Sequence, residues 1–283
     1  MILLDINQTI FSSLAIQLRP SKRSEQLEVS EDLLRHMVLN SLRSYRTKFV
    51  SDYGELIICS DSKHSWRREI FPYYKHQRKE GRKASPIDWP KVFEYMNALK
   101  HELREVFPYQ YVEVDGAEAD DVIATIVEIR KDTDEPILII SGDKDFVQLQ
   151  RYHVPVKQYN PIKGIWVSNP NPNVFLEEHI ISGDVGDGIP NIKSPDNTFV
   201  VKTRQGVITK KFREEFNIHT CNENLKRNYY RNKQLIDLTQ TPQELKDAII
   251  DEFVNGESGD RSKLFNYFAE KKLKNLMQSI GEF

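Results

Sequence analysis

Cysteine is scarce in this chain, which contains only Cys59 and Cys221 among its 283 residues. Two cysteines are too few for a disulfide framework or for a zinc site built from thiolates. No apolar run approaches the ~20 residues that a membrane-spanning helix needs. Residues 1–9 show no basic leader before an apolar stretch, so we expect no signal peptide. These absences favour a protein of a reducing cytoplasm.

Common catalytic motifs are also missing. The sequence contains no phosphate-binding loop of the GxxxxGK type and no visible Ser-His-Asp arrangement. The histidines lack metal-ligand spacing, so no metal role is assigned to His64, His76, His153, His179 or His219. The composition, with 39% hydrophobic and 29% charged residues, is typical of a globular chain that can bury a sizeable core.

The net charge of only −2 hides two basic segments. Residues 63–91 hold nine Lys or Arg and three acids, and residues 198–233 hold the same numbers. Each segment therefore carries about +6, which leaves the rest of the chain with about −14. This division is typical of a protein that holds a polyanion near a metal site, and two solvated basic faces are the alternative.

Short apolar runs that lead into acids indicate the buried strands of a parallel sheet. Four strands are predicted, at residues 2–5, 55–61, 109–114 and 136–143. Apolar residues at helical spacing predict helices at about 31–49, 89–106 and 118–131. The alternation predicts an α/β fold, with a mostly parallel sheet covered by helices on both faces. Ligands of such sheets bind outside the carboxyl ends of the strands.

The second part of the chain differs from the first. After about Lys163 the pattern becomes helical and more polar. We therefore predict a first domain of residues 1–181 and a mainly helical part of residues 182–283. Residues 263–283 carry apolar side chains at helical spacing, which favours packing against the body of the protein. A helix that binds a partner is the alternative.

Acidic residues stand where strand ends and a helix start would bring them together. They are Asp5, Asp61, Glu118, Asp120, Asp143, Asp145, Asp184 and Asp187. Carboxylates this dense repel one another unless cations neutralise them, and hard oxygen ligands suit Mg²⁺ or Mn²⁺. Two such ions about 3.5–4 Å apart can activate a water and stabilise the leaving oxygen of a phosphodiester. We therefore predict a metal-dependent phosphodiesterase, with helix capping as the alternative role for Asp120 and Asp121.

Cationic and aromatic residues alternate between Ser65 and Arg78. Lys and Arg can neutralise phosphates, and Tyr and Trp can stack on bases. A cation near the scissile phosphate would also stabilise charge in the transition state. A surface helix with buried aromatic residues is the alternative, in which Trp66 and Phe71 belong to the core. The glycine-rich segment 183–191 can grip a phosphate through backbone N–H groups or form an ordinary loop.

The order of the acidic motifs resembles that of the structure-specific 5′ nucleases, the flap endonuclease family. The motifs are Asp5, Asp61, Ala117-Glu-Ala-Asp-Asp121, Ser141-Gly-Asp-Lys-Asp-Phe146 and Gly183-Asp-Val-Gly-Asp187. Tyr74-Lys-His-Gln-Arg78 is similar to the YKxxR element of that family. The segments Ser65-Trp-Arg-Arg68 and Tyr73-Tyr-Lys75 resemble its phage members still more closely. An ordered set of five acidic motifs is specific, whereas any one of them alone is not.

The resemblance implies a PIN-like α/β domain, a basic arch or bridge at about 63–91, and a helix-hairpin-helix-type element near 182–215. One Mg²⁺ would be held by Asp5, Asp61, Glu118, Asp120 and Asp143. A second would be held by Asp145, Asp184 and Asp187, partly through water. Lys75, Arg78 and the metal ligand Asp143 are the implied catalytic residues.

The resemblance also implies a substrate. DNA contacts are expected from Arg67, Arg68, Tyr74, Lys75, Arg78, Lys79, Arg82, Lys193, Lys202 and Arg204. The activity would be a 5′→3′ exonuclease and flap endonuclease that removes RNA primers and adjacent DNA from lagging-strand fragments and leaves a 5′-phosphate. A monomer is expected, and the resemblance suggests a single-stranded-DNA-binding protein as its partner. The segment 187–197 departs from the compact GxGxK-like turn of the family.

Two other functions compete with this one. Asp5-Ile-Asn-Gln-Thr9 resembles the DxDxT motif of phosphatases of the haloacid dehalogenase type. The second Asp of that motif, which serves there as general acid, is Asn7 here, and this argues against a phosphatase. A non-catalytic DNA-binding protein descended from a nuclease is the second alternative. Missing metal ligands would favour it, and none of the expected acids is missing.

Overall fold

The computed structural model of the protein describes residues 1–18 and 29–283. Its strands are β1 (Ile2–Asp5), β2 (Leu56–Cys59), β3 (Gln110–Val112), β4 (Ile137–Ile140), β5 (Val156–Asn160) and β6 (Ile165–Val167). The helices of the first part are α1 (Ile6–Gln17), α2 (Glu31–Tyr53), α3 (Trp66–Ile70), α4 (His76–Lys83), α5 (Trp89–Val106) and α6 (Ala119–Ile129). Those of the second part are α7 (Pro172–Ser182), α8 (Lys210–Glu215), α9 (Glu223–Ile236), α10 (Gln243–Asn255), α11 (Leu264–Glu270) and α12 (Lys274–Met277). Short 3₁₀ helices span Lys144–Arg151, Leu238–Gln240, Arg261–Lys263 and Ile280–Glu282.

The six strands form one sheet in the order β3-β2-β1-β4-β5-β6. All neighbouring pairs are parallel except β5 and β6. β1 lies between β2 and β4, with Leu3 opposite Ile57 on one side and Ile139 on the other. This order brings the carboxyl ends of three neighbouring strands to the same edge, which is where ligands of open α/β sheets bind.

Apolar side chains of the strands point alternately into two cores. Leu4, Ile58 and Ile140 face one side of the sheet, where α1, α2, α5 and the end of the chain cover them. Leu3, Ile57 and Ile139 face the other side, beneath α6 and α10. Because both faces are covered, the strands are apolar throughout rather than alternating with polar residues.

The helical second part of the chain is not separate from the sheet. α10 packs on α6, and Phe268, Leu276 and Phe283 are buried in the same core as α2 and α5. The prediction that the tail packs back on the body is therefore confirmed, although the tail forms several short helices. None of the described helices is long and apolar enough to cross a membrane. The boundary between residues 181 and 182 stays a prediction.

A third apolar cluster supports the region beside the sheet edge. It joins Phe71 and Tyr74, just before α4, to Ile180 of α7, Ile189 and Leu235 of α9. Between α7 and α8, residues 183–209 contain no regular helix or strand. The helix-hairpin-helix-type element expected near 182–215 is thus an extended connection, in agreement with the departure of segment 187–197 from a compact turn.

The predicted strands and helices of the first part are present, with ends that differ by a few residues. α5 spans Trp89–Val106 as predicted. β5 and β6 were not predicted, and β6 lies where the pattern was interpreted as helical. In β5 the polar residues Gln158 and Asn160 are the buried ones, so the strand lacks the apolar run that signals an interior position.

Candidate metal centre

The predicted acids at the strand ends lie together at the carboxyl edge of the sheet. Asp5, the last residue of β1, accepts hydrogen bonds from Gln8 N at 2.9 Å and from the Ser141 hydroxyl at 3.2 Å. Asp61 lies two residues beyond β2 and accepts a hydrogen bond from Ala119 N at 2.8 Å. Asp143 lies three residues beyond β4, and its Oδ1 accepts from Asp145 N at 2.9 Å. Each carboxylate is thus positioned by backbone or side-chain donors.

The start of α6 adds Glu118 and Asp120 to the same edge. Glu118 accepts hydrogen bonds from Lys75 at 2.7 Å, from the Tyr74 hydroxyl at 2.7 Å and from Arg67 at 3.1 Å. Burial acts to raise the pKa of Glu118, but Lys75 and Arg67 outweigh it and lower this pKa to about 2. Glu118 is therefore held as a charged carboxylate.

The cations near Asp5 and Asp120 do not offset the burial of these two carboxyls. Burial, followed by the charge of Asp61, raises the pKa of Asp5 to about 7. Burial and the charge of Asp143 likewise raise the pKa of Asp120 well above its ordinary value. In the described part of the chain, no Lys or Arg forms an ion pair with Asp5, Asp120 or Asp143. A set of hard oxygen donors with uncompensated charge fits a divalent cation such as Mg²⁺ or Mn²⁺.

A second acidic cluster lies beside the first. Asp145 is the second residue of the 3₁₀ helix that follows Asp143, and Asp184 follows α7. His179, in the last turn of α7, lies between them, with Nδ1 3.3 Å from Asp145 and Nε2 3.1 Å from Asp184. Potential ligand atoms of these three residues all lie within 4.8 Å of one another. Lys144 also contacts Asp184, at 2.8 Å.

The two carboxylates of this cluster have opposite electrostatic environments. Burial and the charge of Asp143 raise the pKa of Asp145 to about 7. For Asp184 burial acts in the same direction, but the hydrogen bonds from His179 and Lys144 outweigh it and lower the pKa. In the second cluster, therefore, the charge of Asp184 is compensated, whereas Asp145 lacks a strong cationic partner.

Asp187 lies in the loop that follows α7, and this loop contacts the start of α4. Its carboxylate forms ion pairs with Arg78 and, at 3.7 Å, with Lys75, and its backbone carbonyl accepts from Lys75 N at 2.8 Å. Gly183 has φ +69°, and a Cβ there would lie 2.4 Å from the carbonyl oxygen of Ile189, so this turn requires glycine. The N–H groups of residues 187, 188 and 189 bond within the loop. They stabilise the turn and are not free to grip a phosphate.

Lys75 and Arg78 stand next to the acids, as the resemblance implied. Lys75 ends the connection between α3 and α4 with φ +54°, and its ammonium contacts Glu118. Burial acts to lower the pKa of Lys75, but Asp187 and Glu118 outweigh it and raise this pKa. Arg78, with a side chain that is 51% exposed, pairs with Asp187 at the solvent side. Both cations keep their charge beside the acidic edge.

Arg67 and Tyr74 were wrongly assigned to DNA contacts. Arg67 is only 2% exposed, and its guanidinium donates to both oxygens of Asp121, to Glu118 and to the Leu235 carbonyl. Tyr74 is 3% exposed, and its hydroxyl donates to Glu118 and Asp187. Neither can reach a nucleic acid, because α6, α9 and the 183–189 loop enclose them.

Asp121 is a structural residue, in agreement with the capping alternative. It is fully buried and accepts from Glu118 N, which completes a capping box at the start of α6. Its other partners are Arg67, the Trp66 indole and the Thr241 hydroxyl. Trp66 and Phe71 are buried as well, as the alternative for the basic segment expected.

An open groove of about 1080 Å³ leads to the acids. Asp61, Glu118 and Lys75 line its inner end, and Arg68, Arg78 and Arg82 line the side formed by α3 and α4. Arg82 lies over the rings of Trp89 and Phe93, at 5.9 and 5.2 Å from their centroids. The groove therefore combines cations with aromatic rings, which is the combination that binds a single nucleic-acid strand, and it also reaches two acids of the cluster.

The remaining predicted DNA contacts are exposed. Lys79 lies on the outer face of α4, and Lys193, Lys202 and Arg204 belong to the extended connection between α7 and α8. Lys193 donates to the Val207 carbonyl and lies 3.6 Å from the centroid of the Phe212 ring, so part of its side chain is already engaged. The structure leaves the DNA role of these four residues a prediction.

Two residues of the site were missed by the sequence interpretation. His179 was set aside because its spacing to other ligands is not typical, yet it lies one helical turn before Asp184. Lys144 was noticed only as the residue between Asp143 and Asp145. The segment His179-Ile-Ile-Ser-Gly-Asp184 is the signal that could have identified the histidine, because the turn at Gly183 that ends α7 folds Asp184 back beside His179.

Comparisons with known proteins decide the family. Residues 1–177 match the model described as 5′–3′ exonuclease, N-terminal resolvase-like domain, and residues 171–283 match the model described as T4 RNase H, C terminal. The chain belongs to the 5′–3′ exonuclease family. It is a 5′ nuclease and therefore a phosphodiesterase, and the phosphatase alternative is excluded.

Individual relatives agree with this assignment. The chain is 29% identical to the ribonuclease H of Enterobacteria phage T4 over 288 residues, covering 96% of this chain and 94% of that protein. It is 31% identical to the flap endonuclease Xni of Shewanella sp. over 136 residues, covering 45% of this chain and 48% of that protein. The resemblance to the flap endonuclease family and to the ribonuclease H of T-even phages is confirmed.

Solved structures show the same fold. The flap endonuclease of bacteriophage T5, in a complex with DNA and metal ions, superposes with a TM-score of 0.65 at 18% identity, covering 90% of this chain and 97% of that one. The T5 5′-exonuclease with bound zinc gives a TM-score of 0.62 at 17% identity, covering 90% and 98%. The predicted PIN-like α/β fold is thereby confirmed.

Proposed function

We propose that the protein is a Mg²⁺-dependent 5′→3′ exonuclease and flap endonuclease with ribonuclease H activity. It removes RNA primers and adjacent DNA from the 5′ ends of lagging-strand fragments and leaves a 5′-phosphate. One observation carries this proposal: the groove lined by Arg68, Arg78 and Arg82 is also lined by Asp61 and Glu118, two members of the acidic cluster at the sheet edge. Such a groove would lead a negatively charged nucleic-acid strand to the acidic cluster, where metal cations would neutralise the carboxylates.

In this proposal the acids hold two ions. Asp5, Asp61, Glu118, Asp120 and Asp143 would hold the first, and Asp145, Asp184 and Asp187 the second, with Mn²⁺ as a substitute for Mg²⁺. When bound, the ions would supply an activated water and neutralise the leaving oxygen of the phosphodiester. The edge of the sheet positions these carboxylates before any ion arrives, since Ser141, Ala119 and Asp145 already donate hydrogen bonds to three of them.

The protein's own cations would orient the substrate. Lys75 is held at the inner end of the groove by Glu118, and Arg78 is held by Asp187. A phosphate seated between these two cations would have its charge partly neutralised, and the growing negative charge of the transition state would be stabilised further. Arg68, Lys79 and Arg82 would contact the flanking phosphates.

A flap substrate labelled at its 5′ end tests the proposed activity. With Mg²⁺ we expect short labelled products from both a 5′ DNA flap and an RNA–DNA hybrid, with rates that rise and saturate as Mg²⁺ is titrated. With EDTA we expect the rate to fall at least about 10³-fold, because the uncompensated carboxylates would then repel the substrate phosphate. Binding of the flap without cleavage at any Mg²⁺ concentration would instead indicate a non-catalytic DNA-binding protein.

Replacing Lys75 by methionine tests its role in catalysis. We expect the saturating cleavage rate to fall by roughly 10²-fold, since a cation beside the reacting phosphate is lost. The change in flap affinity should be much smaller, because the other groove cations remain. Lys79→Met is the matched control, because Lys79 lies nearby on α4 but is exposed to solvent. Equal effects of the two substitutions, or a change in affinity alone, would limit Lys75 to seating the DNA.

Several further expectations stay predictions. They are the monomeric state, a location in the cytoplasm (that of the host, if a phage encodes the protein), and an interaction with a single-stranded-DNA-binding protein. The balance between exonuclease and flap cleavage is measured by the product lengths of the assay described above.

A further inference from the structure

His179 is the buried polar residue of the site that none of the proposed roles uses. It is 7% exposed, in the last turn of α7, with its ring between two carboxylates. Nε2 lies 3.1 Å from Asp184 Oδ2 and forms a hydrogen bond with it, whereas Nδ1 lies 3.3 Å from Asp145 Oδ1 without forming one. The two sides of the ring therefore have different surroundings.

The hydrogen-bond partners of Asp184 determine which ring nitrogen carries the proton. Lys144 and Asp187 N donate to the Asp184 carboxylate, which is a charged acceptor. Nε2 must therefore donate to it, which leaves the lone pair of Nδ1 directed toward Asp145. Nδ1 and Asp145 Oδ1 are both buried, and neither has a hydrogen-bond partner. Two buried acceptors that face each other are unfavourable unless a proton or a metal cation lies between them.

The spacing of these two atoms is that of neighbouring ligands on one ion. Ligands about 2.1 Å from a metal, at angles between about 90° and 109°, are separated by roughly 3.0–3.4 Å. The observed separation of Nδ1 and Asp145 Oδ1 is 3.3 Å. A metal-bound histidine also commonly donates its other N–H to a carboxylate, which fixes the ring and its tautomer. Asp184 provides that carboxylate here.

We propose that His179 Nδ1 and Asp145 are direct ligands of the second ion, and that Asp184 orients the histidine from the opposite side. Imidazole suits first-row transition metals, whereas Mg²⁺ prefers oxygen, and Mn²⁺ is the transition metal that best accepts a mixed set with oxygen ligands. The second site would therefore favour Mn²⁺ over Mg²⁺ more strongly than the all-carboxylate first site does. This inference rests on the proposed second ion at Asp145, and it changes the role of Asp184 from a ligand to a positioning residue.

Mn²⁺ binding to the full-length, metal-free protein tests the inference. Titration followed by electron paramagnetic resonance gives the number and affinity of the sites, and pulsed measurements on the bound Mn²⁺ detect a directly bound nitrogen. We expect a ¹⁴N modulation in the wild type that is lost in His179→Gln, together with a roughly tenfold weaker Mn²⁺ affinity at one site. The Mg²⁺ affinity should change much less. His153→Gln, at an exposed histidine, should leave both measurements unchanged.

The possible outcomes separate this inference from the proposed function. Two bound Mn²⁺ ions and normal flap cleavage without a nitrogen signal would overturn the role of His179 and leave the nuclease proposal intact. Absence of any metal binding would overturn both. A nitrogen signal that persists in His179→Gln would assign it to another group and contradict the inference. Asp184→Asn provides a further check, because it should weaken Mn²⁺ binding while the nitrogen signal is kept.

Discussion

Replacing Asp143 by asparagine is expected to lower the rate of flap cleavage by at least about 10³-fold, which corresponds to about 4 kcal/mol of lost transition-state stabilisation. The charge of Asp143 raises the pKa values of Asp5, Asp120 and Asp145. Asp143 thus lies between the two acidic clusters. Asparagine keeps the size of the side chain and an oxygen that can accept from Asp145 N. A lower cleavage rate in this variant would therefore result from the missing charge and not from a change in side-chain shape.

Binding and stability should respond differently from cleavage. Affinity for the flap, measured by fluorescence anisotropy at one fixed salt concentration, should stay within about threefold, because the groove cations are unchanged. The unfolding midpoint of the metal-free protein should be equal or higher, since a source of repulsion among buried carboxylates has been removed. Asp132→Asn, in the exposed turn after α6, is the matched control. Loss of both cleavage and stability in Asp143→Asn would assign Asp143 a structural role.

The strands that carry the acids could be predicted because each combines two strong local signals. The runs at Ile2 and Ile137 are apolar on both faces, which indicates a covered parallel strand, and an acid lies at or within three residues of the end of each. β5 and β6 were missed for the opposite reason. β5 buries Gln158, whose amide donates to the carbonyls of Ser141 and Asp143, so a polar residue occupies an interior position. No periodicity rule identifies such a strand.

The electrostatic partners within the site could not be predicted. Arginine is usually exposed, and a basic segment is therefore expected to face solvent. Arg67 is instead enclosed because Asp121, on a helix 54 residues further along the chain, offers both of its oxygens. His179 was dismissed for a similar reason, since its partner Asp145 meets it only after α7 packs on the 3₁₀ helix at 144–151. Long-range pairing of this kind leaves no local pattern.

Replacing Arg67 by methionine is expected to have the largest effect on stability. Removing one partner of a buried ion pair costs about 3–5 kcal/mol, because the other charge is left in the interior without compensation. Here the uncompensated group is Asp121, which is fully buried and caps α6, and Glu118 loses a donor as well. Methionine retains the apolar stem, so a cavity contributes little. Urea unfolding followed by circular dichroism measures the change.

Arg68→Met is the matched control for this prediction, and the two substitutions should have opposite signatures. Arg68 lies on the same short helix, is exposed, and lines the groove. Its loss should leave the free energy of unfolding within about 0.5 kcal/mol and weaken flap binding instead. Equal stability of the two variants would show that Arg67 is not the buried counter-ion of Asp121.

A double variant separates the ion pair from the packing of the arginine stem. In Arg67→Met combined with Asp121→Asn, the buried charge is removed together with its partner, while the asparagine oxygen can still accept from Glu118 N and Trp66. The double variant should therefore be more stable than the sum of the two single losses predicts, by about 0.5–3 kcal/mol, which is the range found for directly interacting pairs. Additive losses would mean that each residue stabilises the fold through other contacts. The base of the arch would then depend on the apolar cluster around Phe71 and not on this ion pair.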